Sequence, residues 1–327
     1  MSSYKHFTMA EREESMILLR QEKGIREIAR KLGRTPSSVS REISRNRKKD
    51  GTYSADTAYR KYCKRRENCG RKPKVSTNPE LKQYIEERLQ LYWSPEVIAG
   101  KMSLGNEPFS VSYNTIYRAI EKGVLSKRFR TFLRFKRIKN KKKKSDDRRG
   151  QILGGVSIRE RPQAANDRTE PGHFESDTVL GKRGTGVLGT HVERMTGYLY
   201  AFKIPDRKDN VFIYATAELF RKIPKGLKKT FTVDNGLEFY DHALLTRLTG
   251  MNVYFCDPCS PWQRGLNENT NGLLRQFFPK GTSLADVTDE KLQHVVDLIN
   301  NRPRKRFGFR SPAELLQELL ESPQCCT

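Results

Sequence analysis

Apolar residues recur at helical spacing through the first part of the chain and give way to strand-like alternation after about residue 160. Residues 8–46 hold the first helical segments. Thr8 followed by Glu11 has the form of a capping box ahead of SMILLRQ. The next segment sets Ile25, Ile28, Ala29 and Leu32 on one face and stops at Gly33. Thr35 in the capping position and Pro36 in the first turn open a third helix. That helix turns Val39 and Ile43 inward and leaves Ser37, Ser38, Arg41 and Arg45 outward. Helix, tight glycine turn, helix is the helix-turn-helix pattern. Hydroxyls and arginines near the start of its last helix suit base edges and phosphates in a major groove. The competing reading is an ordinary helical domain with a solvated polar face.

A second helical unit spans residues 78–123: NPELKQYIEERLQ, then Ser94-Pro95-Glu96 leading into VIAGKM, then SVSYNTIYRAIEKG with a stop at Gly123. Ile116 and Ile120 face inward. Ser112, Tyr113, Asn114 and Arg118 are the side chains turned toward DNA if this too is a helix-turn-helix, although the connection before its last helix is longer. After residue 160 the pattern predicts a strand at HFESDTVLG and a hairpin of VLGTHVER and GYLYAFKI across Met195-Thr196. A helix in KDNVFIYATAELFRKI and a short buried strand in KTFTVDNG follow. DHALLTRLTG then reads as a helix, MNVYFCD as a strand, and further helices run through LLRQFF and LADVTDEKL. Closely joined strands followed by alternating helix and strand predict an α/β domain with a mixed five-stranded sheet. The expected organisation is helical DNA-binding units at 1–60 and 78–125, a basic linker at 126–159, the α/β domain at 160–318 and a tail at 319–327.

Charge sharpens this picture. The formal net charge is +25 and the isoelectric point about 9.9, which call for a polyanionic partner, nucleic acid first. Residues 127–149 alone carry 13 Lys and Arg against Asp146 and Asp147. Runs of this kind serve as nucleic-acid arms, and their binding is salt-sensitive. Phe129, Phe132 and Phe135 at three-residue spacing predict that the start of the run is helical and packed. No apolar run reaches membrane-spanning length, and MSSYKHFTMAEREES lacks the apolar core of a signal peptide, so a cytoplasmic protein is expected. Cys256 and Cys259 have metal-like spacing, but no second pair matches them and the His residues are scattered. Reduced thiols are the expected state.

The candidate chemistry is acidic. Asp177 lies inside the first strand of the α/β region, and Asp234 at the carboxyl end of the strand after its first helix. A strand–hairpin–helix–strand order can set those two strands side by side in parallel, about 5 Å apart, so that both carboxylates share a divalent ion. Glu268 follows in SPWQRGLNENTNG, at the start of a helix facing the same sheet end. Such acids would have to stay unpaired by Arg or Lys for metal to neutralise them. If the helix begins near Asn267, then Asn271, Gly272 and Arg275 share the Glu268 face. Arg275 would clamp a DNA phosphate and Gly272 would admit a DNA backbone. Glu175 shares a strand face with Asp177, as a positioning group or a solvated position, and Glu238 is a supporting carboxylate. Trp262 is expected to anchor its loop in the core, the alternative being that it stacks on an unpaired base.

GHFESD (172–177), TVDNGLEF (232–239), DPCSPWQRGLNENTNGLLRQFFPKGTSL (257–284) and NNRPRKRFGFRSPAEL (300–315) resemble transposases of the insertion-sequence-thirty (IS-thirty) family, within the DDE transposase and retroviral-integrase superfamily. The resemblance runs from about residue 6 to 318, including the two N-terminal helical units. Phe174 and Ser176 stand where the first family motif has Trp and Gly. The resemblance implies a ribonuclease-H-like core with Asp177, Asp234 and Glu268 as catalytic metal ligands for Mg²⁺ or Mn²⁺, two ions in all. It implies nicking at insertion-sequence ends and transfer of the 3′-hydroxyl into target DNA. The N-terminal helices would read the terminal inverted repeats, and pairing two ends calls for a homo-oligomer, with no membrane or small-molecule partner. The alternatives are a sequence-specific DNA-binding regulator and a nuclease that cuts without joining. The intact acidic set weighs against the first, and the end-reading helices against the second.

Overall fold

The computed structural model describes residues 5–69, 72–134, 152, 154–206, 210–258 and 260–321. The chain divides into two compact units, Met1–Lys72 and Pro73–Thr327. Most of the basic run, together with Phe135, Cys259, Cys325, Cys326 and the end of the expected tail, lies outside the described residues.

The first unit is four helices: α1 (Met9–Arg20), α2 (Ile25–Lys31), α3 (Pro36–Asn46) and α4 (Ala55–Glu67). The capping box at Thr8 is present in both directions. Thr35 occupies the capping position of α3, but its hydroxyl meets Ser38 Oγ at 2.8 Å instead of a backbone N–H. Phe7, Leu18, Ile28, Val39, Ile43 and Ala58 form the core. Its polar centre is Glu42, 1% exposed and opposed by the fully buried Arg12. Arg12 Nε donates to Glu42 Oε1 at 2.8 Å, and Asn46 Nδ2 reaches the same oxygen at 2.8 Å. The Arg12 guanidinium also stands over the Tyr62 ring, 4.7 Å from its centroid. This network locks α3 against α1.

The second unit begins with α5 (Lys74–Thr77), α6 (Pro79–Gln90), α7 (Pro95–Lys101) and α8 (Tyr113–Glu121). Asn78 and Ser94 cap α6 and α7 with their side chains. Ile85, Leu89, Ile98, Ile116, Ile120 and Phe129 share one core. Residues 127–132 form a 3₁₀ turn that buries Phe129, as the phenylalanine spacing predicts. Tyr92 and Phe132 then lead to the α/β part of the unit, where Tyr92 stacks 4.4 Å from Phe277.

That part is built on strands β1 (Val156–Ser157), β2 (His173–Leu180), β3 (Val187–Glu193), β4 (Leu199–Ile204), β5 (Thr230–Val233) and β6 (Asn252–Phe255), with α9 (Gln163–Asp167) between β1 and β2. The sheet is mixed, in the order β1-β6-β5-β2-β3-β4. It has six strands where the sequence predicts five. The extra one, β1, is two residues long and pairs in parallel with β6 at the edge; so short a strand leaves no alternation to read.

Helices α10 (Val211–Arg221) and α11 (His242–Thr249) cover one face over Phe174, Phe212, Phe220 and Phe231. The other face packs on α12 (Gly265–Phe277) and α13 (Asp289–Asn300) through Leu188, Val192, Leu266, Leu273 and Val296. A last helix, α14 (Pro312–Glu321), adds Leu316 to the first face. Among the described residues no helix is long and apolar enough to cross a membrane.

Candidate active site

The register of β2 and β5 builds the site. They run parallel with Phe174 beside Phe231 and Glu175 beside Thr232. Side chains alternate in a strand, so the positions two further on, Asp177 and Asp234, stand abreast on the face that carries α12. Asp177 Oδ1 accepts its neighbour's N–H from Thr178 at 2.8 Å, and Asp234 Oδ1 accepts from Gly236 at 3.0 Å. Burial pushes the Asp177 carboxyl above the usual range; Arg264 opposes that shift and the charges of Asp234 and Glu238 add to it.

These acids are not left unpaired. Arg264, at the start of α12, donates from one guanidinium nitrogen to Asp234 Oδ2 at 2.9 Å, while the other stands 3.6 Å from Asp177 Oδ2 and bonds Ser176 O at 2.9 Å. Burial works against its charge, yet the two aspartates hold the Arg264 pKa above its ordinary value. The expectation of an acid pair free of Arg fails because Arg264 lies 30 residues beyond Asp234 in a turn whose direction only packing sets. The motif around Glu268 contains Arg264, but nothing in its spacing says where the guanidinium points.

Glu268 is exposed on the first turn of α12 and makes no hydrogen bond or ion pair among the described residues. One turn on, Asn271 Nδ2 reaches Asp177 Oδ2 at 3.0 Å, and Thr190 Oγ1 bonds Asn271 Oδ1 at 3.2 Å. Asn271 thus holds Asp177 in place, where the sequence reading turned it to DNA. Among the described residues no group of three His, Cys, Asp or Glu is placed to hold one metal ion, so Glu268 does not join the aspartate pair here. Glu238 comes closer: it is 6% exposed, and its Oε1 takes the Thr178 hydroxyl at 2.6 Å. Any Cβ on Gly236 would lie within 2.8 Å of both Glu238 and Asp234 oxygens, which measures how tightly these acids converge.

α12 is anchored from beneath by Glu175, which is buried and paired with Arg194, not solvated. Its Oε2 accepts Asn267 N–H at 2.9 Å, and Asn267 Nδ2 returns a bond to Glu175 O at 2.9 Å. Gly272 does not open the helix to a ligand, because the Arg134 guanidinium fills that space, 2.8 Å from where a Cβ would sit. Arg275 is half-buried, reaches Phe278 O at 3.4 Å and lies within the field of Asp177. Trp262 is 73% exposed and anchors nothing in the core. Phe174 joins Phe220 and Phe231 in the first core, and Ser176 Oγ pairs with His191 Nδ1 at 2.7 Å. Cys256 is buried and its thiol is pushed up to about 11.

The other predicted positions are placed as follows. Ser37 and Arg41 are exposed on α3, with Ser38 half-buried. Arg41 Nε bonds Ser37 O at 3.1 Å, and Arg45 pairs with Glu42. On α8, Ser112, Asn114 and Arg118 are exposed together, with Ser112 Oγ 3.1 Å from Thr115 Oγ1.

Short helices with exposed Ser and Arg, a strongly basic chain and a mixed α/β sheet carrying an acidic cluster define the class of a DNA-processing protein. Residues 3–46 match the helix-turn-helix domain family. The chain is 37% identical to the transposase for insertion sequence element IS1086 of Cupriavidus metallidurans, over 98% of this chain and 97% of that one. It is 36% identical to transposase InsI for insertion sequence element IS30A of Escherichia coli, over 95% of this chain and 83% of that one. With the transposase for insertion sequence element IS4351 of Bacteroides fragilis it shares 34% identity over 97% of each chain. The chain belongs to the IS-thirty family of insertion-sequence transposases.

Proposed function

We propose that the protein is a DDE transposase with a ribonuclease-H-like catalytic core, which nicks DNA at insertion-sequence ends and joins the 3′-hydroxyl to target DNA. The observation that carries this reading is the register of the two central strands, β2 and β5, which sets Asp177 and Asp234 abreast around a single positive group. The donor set suits a hard divalent cation: it is all oxygen, and the Asp177 carboxyl is raised by burial and by its acidic neighbours, which a cation would relieve. Arg264 now stands where positive charge is needed. Asp177, Asp234 and Glu268 would be the residues to hold two Mg²⁺ or Mn²⁺ ions. When bound, such ions activate a water or 3′-hydroxyl and stabilise the leaving oxygen of an in-line displacement.

The chain's own residues do the rest. Asn271 keeps the Asp177 carboxylate in register, Glu175 and Asn267 fix the height of α12, and Arg275 lies beside the cluster to receive a phosphate. Thr35, Ser37, Ser38, Arg41 and Arg45 of the first unit, and Ser112, Asn114 and Arg118 of α8, would contact the terminal inverted repeats. Pairing two ends requires a dimer or larger assembly, working on the nucleoid in the cytoplasm.

The test is Glu268→Gln. It should bind terminal-repeat DNA in EDTA as the wild type does and lose Mg²⁺-dependent cleavage and joining. Wild-type strand transfer by this variant would remove Glu268 from the catalytic set.

A further inference from the structure

On the other side of α12 from the acids lies a cavity of 350 Å³, lined by Arg134, Arg168, Arg302, Arg304, Arg306 and Asn269 among others. Among the described residues no carboxylate lines it. Its arginines come from three separate parts of the chain, and Gly197, in the β3–β4 hairpin, makes room for one of them: a Cβ there would stand 2.6 Å from the Arg306 guanidinium. Arg302 and Arg304 hydrogen-bond neutral groups. Arg302 donates to Gln276 Oε1 at 3.3 Å, Arg304 to Ile299 O at 3.0 Å, and Arg306 stacks 4.3 Å from the Phe307 ring. Among the described residues Arg168, Arg302, Arg304 and Arg306 make no ion pair.

The acids that influence the cavity are committed elsewhere. Glu96 takes the Tyr117 hydroxyl, Glu175 holds Arg194 and Asn267, and Glu193 accepts from Gly172 and Thr196. Burial, then the neighbouring arginines, lower Arg304 to about 9, and burial together with Arg134 lowers Arg302 to about 10. Like charges gathered in a half-buried cavity destabilise the protein until an anion enters.

We infer that this cavity is a phosphodiester-binding pocket, which grips the backbone of the DNA strand on which the acidic cluster acts. The inference rests on the proposed DNA-processing reading. Asn269 lines the pocket and Asn271, two residues on, bonds Asp177 from the other side, so the two sites flank one helix whose width is about 10–12 Å. A strand crossing the start of α12 can set one phosphate in the pocket and another at the acids. Arginine suits the task, because its fork grips phosphate oxygens in pairs.

The experiment measures binding of the full chain to a short duplex of arbitrary sequence, in EDTA, from about 50 to 200 mM salt. Arg304→Gln should lower the slope of log K against log salt by about 0.9, the value of one phosphate contact. Arg304 also holds Ile299 O, so the exposed pair Arg168→Gln and Arg306→Gln repeats the measurement without breaking that bond. Arg247→Gln, on the opposite face of the sheet, controls for loss of general charge and should leave the slope unchanged.

A wild-type slope in both pocket variants overturns the proposal, as does an equal fall in Arg247→Gln. If inorganic phosphate at millimolar concentration raises the melting temperature of the wild type but not of Arg304→Gln, while the slopes stay equal, the pocket takes a free anion and the DNA assignment is overturned. Because no catalysis is read, these results are independent of the Glu268→Gln test.

Discussion

Replacing Glu42 by Gln keeps the shape of the carboxyl group and removes its charge. In the first unit Glu42 is 1% exposed and Arg12 fully buried, 2.8 Å apart. The substitution leaves Arg12 charged, with one guanidinium nitrogen already lacking a hydrogen-bond partner. Removing one member of such a pair costs about 3–5 kcal/mol. A unit ending at Lys72 has roughly 4–11 kcal/mol of total stability at the usual per-residue value. The loss is therefore a large share of the whole.

Hydrogen exchange on the full chain is the direct assay, because it reads α1 and α3 amide by amide. Protection there should fall roughly a hundred- to a few thousand-fold, at one decade per 1.4 kcal/mol, with the α/β amides unaffected. DNA binding by the helix-turn-helix domain should weaken in parallel. Combining Arg12→Met with Glu42→Leu should restore most of the protection, since the buried charge is then gone as well. A fall of less than tenfold in Glu42→Gln would refute the claim that this pair locks α3 to α1.

Further outcomes follow from the α/β unit. His191 is fully buried among Phe202, Phe212, Phe220 and Phe231, and burial lowers its pKa to about 3. The unfolded chain binds a proton near pH 6.5 that the folded chain refuses, so stability is complete above 6.5 and is lost as pH falls toward 3. Between pH 7 and 5 this is about 2 kcal/mol, and His191→Gln should flatten the melting-temperature profile over that window by the same amount. Arg264→Gln should cost about 1–3 kcal/mol of metal-free stability, for partly exposed partners, and lower the melting temperature accordingly. Millimolar Mg²⁺ should then raise it more than in the wild type; equal Mg²⁺ shifts would refute a charge-neutralising role for Arg264. Gly100→Ala places a methyl 2.1 Å from the Phe309 ring, and should cost about 1–3 kcal/mol and speed proteolysis of residues 73–133. Unchanged cleavage would show that Phe309 yields freely.

Much of the architecture was legible in the sequence, for local reasons. Helical spacing picked out Ile28, Val39 and Ile43 as core, and strand alternation together with short connections predicted the parallel pairing that brings Asp177 beside Asp234. Alternation records which side of an element is covered, and that is settled within a few residues. What covers it is another matter. Arg264 between the aspartates, Arg134 over Gly272, Glu175 beneath α12, Trp262 in solvent and the edge strand β1 all depend on contacts between segments far apart in the chain. The arginine pocket is the clearest case. In sequence Arg302, Arg304 and Arg306 are ordinary members of a basic chain; only folding crowds them against Arg134 and Arg168, where burial and mutual repulsion give them a shared need for an anion. Periodicity determines faces, but charge acts through space, so tertiary structure alone decided which charges meet.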